Sequence, residues 1–510
     1  MNRVRLLQLS AILLAFGFFS CSVSRWETRA MEPQKDKVVN VPGDSVFDYG
    51  TEPIRYLEND RVKLGLNMEL GGAVTYLEDK ANKSGNMINS CDWGRQIQLS
   101  YYSGPHPFIG PNGEKPSETW AGLGWNPIQS GDCGGYRSQV LSFEQVDDKV
   151  YLLRARPMLW PHSGVPAECV FECRYELIDN GFILDATIIN NRSDKTFYDA
   201  HFQETPALYT NAPWYKLVSY LGDKPFENEP ITTIIDKNDQ KGWPWTNYYT
   251  PEHWSALVND ANCGVGVYQP YSTFTTAGFH GGDEAKGQDL GEKSGPTGYI
   301  APLEKTILDW NIKRTYRAIF IVGSVDEIRS TIYRFAQNDV PKRPNWVFEK
   351  DRQNWGYVNA TDQGYPIENM LKINLSSDRQ AIAQSPLSFW KAEDAPILEI
   401  DAEFIPANEN GTIDDEITIQ LSPVSPSDFL DATERSRRTE ARKTDPSIPE
   451  YPTLPRVSKT APVKFDAKKR IIRVNLSDQE GYSGAMKNLE IVFPQRNGNA
   501  NVYSVRFLEK

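Results

Sequence analysis

Several features that would assign this 510-residue chain quickly are missing from it. Beyond residue 20 no apolar run is long enough to cross a bilayer. Sustained helical periodicity is absent, which excludes bundles and coiled coils, and there is no internal repeat. Basic residues are outnumbered: the formal net charge is −12, which argues against nucleic acid as a partner. A local arginine could still bind an anionic sugar. The six cysteines fall in no zinc-ligand spacing, and Cys169 and Cys173 lack neighbouring histidines, so neither metal nor cofactor is expected. Setting Cys21 aside leaves an odd number, and the spacing leaves open a Cys91–Cys133 disulfide or buried free thiols.

What is present begins at the N-terminus. Met1–Arg5 carries two arginines, Leu6–Phe19 is almost unbroken apolar sequence, and Ser20-Cys21 follows. A basic start, a short apolar stretch and a small residue describe a secretory signal. Phe18-Phe19-Ser20-Cys21 resembles a lipobox. The resemblance implies cleavage before Cys21 and a lipid on its thiol. The expectation is a signal over 1–20, a polar tether over 21–45, and an exported lipoprotein anchored to a membrane, periplasmic or outer.

From about Ser45 the pattern is short alternating segments broken by Gly, Asn, Asp and Pro. In Ile183–Ile189, Leu184, Ala186 and Ile188 share one face and Asp185 and Thr187 the other, as antiparallel sheet requires. One short helix is expected over Val325–Ala336, capped by Ser324 or Asp326, with Ile328, Ile332 and Phe335 on one face. Val340-Pro341-Lys342-Arg343-Pro344 suits a linker. Further strands are expected over Ile397–Ile405, Glu416–Leu421, Arg470–Leu476, Leu489–Phe493 and Val502–Leu508. Ser422–Lys459, rich in Pro, Ser, Arg and Glu, reads as a long solvated loop.

Two stretches resemble the galactose-mutarotase-like supersandwich. One is Leu64–Leu77, a strand, a glycine pair and a second strand; the other is Ile183–Asn191, Ser193-Asp194-Lys195 and Phe197–Tyr209. The C-terminal part resembles the jelly-roll carbohydrate-binding modules attached to such enzymes, through Trp355-Gly356 and the closing strand Val502–Leu508. The resemblance implies an all-β chain: a large antiparallel β-supersandwich over 46–340 followed by a smaller β jelly-roll over 346–510. It places His201 where mutarotases hold a catalytic acid. Their carboxylate base finds no counterpart late in the chain, which argues against simple aldose epimerisation.

Sugars are held by aromatic faces and by planar polar side chains. Asp92–Tyr102 offers both, with Arg95 and Gln98 as candidate binders that converge only if Gly94 makes a bulge. Trp120 and Trp125 lie in a glycine-rich loop, and Trp243, Trp245 and Tyr248 form a second aromatic cluster. The four tryptophans are expected to line one cleft. His201, Gln203 and Glu204 precede Pro206; the expectation is that Phe202 turns to the core and that Asp199, His201 and Gln203 face the cleft. Glycoside hydrolysis needs two carboxylates, and Glu204 and Glu252 are the pair chosen, with Glu118 in reserve. His201, Tyr248 and Arg95 would instead suit a polysaccharide lyase, and the aromatic loops alone would suit a non-catalytic glycan-binding lipoprotein.

Overall fold

The computed structural model describes residues 37–236, 245–407, 412–429, 440–448 and 453–509. The signal, Cys21, most of the tether and Trp243 lie outside the described residues.

The protein is all-β. A 10-stranded sheet runs in the order Ile54–Glu58, Val62–Asn67, Ala73–Asp79, Ile97–Ser100, His201–Asn211, Thr297–Thr306, Phe274–His280, Trp245–Tyr249, with two short strands beside Ile97–Ser100. A 9-stranded antiparallel sheet carries Cys169–Ile178, Gly181–Asn190 and Lys313–Ser324. Leu64, Ile97, Leu208 and Ile300 of the first sheet meet Leu153, Phe171, Leu184 and Phe320 of the second in one core. The alternation seen in sequence is the cause: Leu184, Ala186 and Ile188 are buried, while Asp185 faces outward and pairs with Arg317 at 2.6 Å. Each fully buried Leu, Ile or Phe contributes roughly 1.5–3 kcal/mol.

The glycine pair works as the opening pattern implies. Gly71 and Gly72 adopt φ of 58° and 74°, and a Cβ on Gly72 would lie 2.1 Å from Leu153. No side chain fits there, so the chain turns tightly between the two strands.

The helix spans Val325–Asp339, three residues beyond the expected end. Ser324 and Glu327 form a reciprocal capping box, and Ile328, Ile332 and Ala336 pack on Trp254, Ile319 and Ile321. A third sheet of 11 strands, with strands from Asn345–Val347 to Gly498–Leu508, encloses its own core around Trp355, Trp390, Phe404 and Phe465. Arg352 ties it to the sandwich, its guanidinium held between Asp309 at 2.5 Å and Asp362 at 2.6 Å. The expected solvated loop is shortened at both ends. One strand runs to Pro423 and another begins at Val457, because alternation continues into both flanks.

Cys133, Cys169, Cys173 and Cys263 are free thiols, so no disulfide joins Cys91 to Cys133. Cys91, Cys169 and Cys173 are buried, and burial raises the Cys173 thiol to about 12. The open choice is thereby decided against that disulfide.

Candidate functional site

Five neighbouring strands of the first sheet build an aromatic face. The register sets Tyr209 opposite Tyr299, Tyr299 opposite Gly278, and Gly278 opposite Trp245. Cross-strand partners share a face. Gly278 contributes no side chain, and the rings on either side close over it: Trp245 and Tyr299 lie 4.6 Å apart, Tyr209 and Tyr299 4.7 Å. His280, two residues on from Gly278, sits 6.4 Å from Trp245.

Glu204 opens onto this face. The ladder shifts register between Glu204 and Leu208, leaving Glu204 and Tyr209 on the same side. The Tyr299 hydroxyl donates to Glu204 Oε1. Burial raises the Glu204 pKa, and hydroxyls from Tyr299, Ser100 and Tyr102 pull it back without cancelling the rise. Burial, and then the Glu204 charge, push the Tyr102 and Tyr299 phenols well above their ordinary value, and Tyr209 likewise. None of the three is a base near neutral pH.

Arg95 and Asp92 close the far end. Arg95 lies outside the strand, in a turn where its amide meets the Asp92 carbonyl; its Nε donates to Asp92 Oδ2 at 3.1 Å and it also donates to the Gly295 carbonyl. This turn, rather than the expected bulge, aims it. Asp92 and Arg95 are both in electrostatic reach of Tyr209 and His280. Burial lowers the His280 pKa, and Arg95 lowers it further against Asp92, so the imidazole is neutral at pH 7.

Other expected site residues are elsewhere. Gln203 is fully buried on the opposite face, its amide bonded to both the N–H and the carbonyl of Tyr102. His201 shares that face and packs at 5.8 Å on His106; burial, then His106, lower its pKa. The expected parity is therefore inverted, with Phe202 on the aromatic face against Phe274 at 5.4 Å. Gln98 is buried and held by Ser130. Trp125 is in the sandwich core, and Trp120 packs edge-on to Trp160 at 5.6 Å in a separate cluster, so the described tryptophans do not share one cleft. Tyr248 is also core, its hydroxyl on Ser255. That removes the lyase trio.

Glu252 is corrected as well. It is 0% exposed and accepts from Arg329, Tyr333, the Trp254 indole and the Phe226 amide. A carboxylate so saturated and enclosed holds the helix to the sheet and cannot reach a sugar. Its neighbour His253 has φ of 63° and a buried Nδ1 with no hydrogen bond among the described residues. Burial lowers the His253 pKa from 6.5 to about 4. Between those values the unfolded chain binds a proton that the folded one refuses. Stability is therefore lost as pH falls from 6.5 to about 4, by about 3 kcal/mol in all. His253→Asn, which tolerates positive φ, is expected to flatten this part of the curve of unfolding free energy against pH. An unchanged acid slope in the mutant would refute the assignment.

Tyr102, Tyr209, Tyr299, His280 and Asp92 were not among the expected site residues. Alternation in Thr297–Thr306 carries a signal for one of them, since Tyr299, Ala301 and Leu303 share a face. Among the described residues no group of three or more His, Cys, Asp or Glu side chains is placed to hold a metal ion.

No family profile matches the chain, and no curated protein sequence does. Solved structures resemble it at low identity. A galactose mutarotase-like protein from Lactobacillus casei is 13% identical, covering 53% of this chain and 99% of its own, with a TM-score of 0.34. A galactose mutarotase related enzyme from Lactobacillus acidophilus is 12% identical over 53% and 97%, TM-score 0.33. A 4-alpha-glucanotransferase from Thermococcus litoralis is 10% identical over 55% and 40%, TM-score 0.31. Such scores assign neither family nor activity, so the function is argued from the site.

Proposed function

We propose that this protein is a glycoside hydrolase whose general acid is Glu204. The observation that carries the reading is a carboxyl group with a raised pKa, fed by three hydroxyls, on a sheet face tiled with Tyr209, Tyr299 and Trp245. The aromatic faces stack on the C–H surfaces of a sugar. Glu204, whose burial holds its proton to higher pH than an ordinary carboxyl group, gives that proton to the glycosidic oxygen as the C–O bond breaks. Hydrolysis needs a second carboxylate. With Glu252 enclosed, Asp92 takes that role, beside Arg95 and, like Glu204, within electrostatic reach of Tyr209.

The test is a screen of the purified protein against a polysaccharide and aryl-glycoside panel, reading reducing ends together with unsaturated-uronate absorbance. New reducing ends without that absorbance support hydrolysis. Uronate absorbance would overturn it in favour of a lyase. Saturable tryptophan quenching with no turnover would favour a non-catalytic glycan binder, a reading that the aromatic row also suits.

We also infer that the chain is exported and carries lipid on Cys21, as the lipobox-like Phe18–Cys21 implies. Cys21→Ala is expected to move the protein from the membrane to the soluble fraction. Unchanged partitioning in detergent-phase separation would refute the anchor.

A further inference from the structure

The aromatic face does not end at Trp245. Along the strand Trp245–Tyr249 the residues Trp245, Asn247 and Tyr249 share one side. Trp245 to Tyr249 spans about 13 Å of strand, more than one sugar ring covers. Thr276 lies opposite Asn247 and Phe274 opposite Tyr249. Asn247 is partly exposed, and its carboxamide has no hydrogen-bond partner among the described residues. The row that contains Glu204 runs toward the same end: Glu204 sits opposite Leu303, which clusters with Phe202 and Phe274.

At that end the third sheet supplies the wall. The Tyr249 hydroxyl donates to the Ser388 carbonyl at 2.6 Å, and the Phe429 ring lies 6.3 Å from the Tyr249 ring. Phe429 is partly exposed and closes the short turn Pro426–Phe429. The turn is braced rather than loose. Asp428 accepts from the Ser425 amide at 2.7 Å and from Lys487 at 2.5 Å, and Lys487 belongs to the strand Ala485–Val492. Lys391 reaches back to Glu227 of the sandwich at 3.4 Å. A partly exposed aromatic ring, held beside Tyr249 at the end of the strand row that begins at Trp245, is placed to meet a glycan that extends past the reacting unit.

We propose that Phe429 is a positioning residue of the third sheet that completes the substrate groove, so that the site favours a glycan chain over a single sugar. This rests on the reading of Glu204 and its aromatic face as a glycan site. A chain lying from Trp245 over Asn247 pairs its hydroxyls with the Asn247 carboxamide and the Thr276 hydroxyl. Its outer unit then stacks on Phe429. A single sugar at Trp245 reaches none of these.

The experiment compares wild type, Phe429→Ala and Phe429→Trp on the oligosaccharide ladder, dimer to hexamer, of the polysaccharide cleaved in the screen, with the 4-nitrophenyl monoglycoside of the same sugar as the short substrate. Phe429→Ala is expected to lower kcat/KM for the longer oligosaccharides about tenfold, mostly through KM, the loss of one stacked ring. Turnover of the monoglycoside should be unchanged, and Phe429→Trp should restore the long-substrate rate. An equal fall on long and short substrates, or no fall on either, overturns the proposal. If wild type turns over nothing, the Glu204 hydrolase reading fails separately. Phe429 is then judged by binding of neutral and uronate-bearing oligosaccharide ladders, read by tryptophan fluorescence. A preference for long over short that Phe429→Ala abolishes upholds it, and no such preference sinks it.

Discussion

Glu204→Gln is expected to reduce kcat/KM on the cleaved glycan by about 10²–10⁴, the usual weight of one positioned general acid. Glutamine keeps the size and can still accept from the Tyr299 hydroxyl, so the aromatic row should stay in place and affinity should largely survive. The pH profile separates loss of an acid from damage to the fold. A general acid works while protonated, and burial holds the Glu204 proton to higher pH than an ordinary carboxyl group. Wild-type kcat/KM should therefore decline as pH rises through that elevated pKa. The residual activity of the mutant should lack this decline. Rescue of rate by an activated aryl leaving group, which needs little protonation, should be partial to full in the mutant. Near wild-type turnover of an unactivated glycoside by Glu204→Gln would remove Glu204 from the mechanism.

Glu252→Ala has the opposite signature. The Arg329 guanidinium meets Glu252 at 2.8 Å inside the protein, and three further donors end on the same carboxylate. Removing it strands a buried cation and leaves the Trp254 indole and Phe226 amide unsatisfied. Breaking such a pair costs about 3–5 kcal/mol, visible as a lower urea midpoint at unchanged slope. At temperatures where the mutant remains folded, turnover per folded molecule should match wild type. A stable mutant that had lost turnover would show Glu252 to be catalytic after all. The two carboxylates first paired by sequence thus separate by experiment, one into rate and one into stability.

Much of the architecture was legible because its causes are local. Alternation in Ile183–Ile189 reflects a two-residue period that holds wherever the strand lies. Ser324 and Glu327 cap the helix by bonds within one turn. The glycine pair at 71–72 turns because φ is positive there. Arg95, Glu204 and Trp245 were chosen as residue types suited to sugars, and the sheet brings all three to one side.

The amino-acid sequence by itself determined that the chain is all-β, where most strands fall and which residues share a face. Which face points inward was left to the tertiary structure. A sugar-stacking floor and a core face have the same aromatic composition, and period two assigns partners without assigning sides. Phe202 was expected in the core and lies on the aromatic face, while Gln203, read as a sugar ligand, clasps the Tyr102 backbone. Trp125 and Glu252 are buried for the same reason: burial depends on what packs over a residue, and Arg192 and Arg329 are 67 and 77 positions away in the chain. The meeting of Glu204 with Tyr299, 95 residues later, is a sheet register, and only the folded ladder sets it.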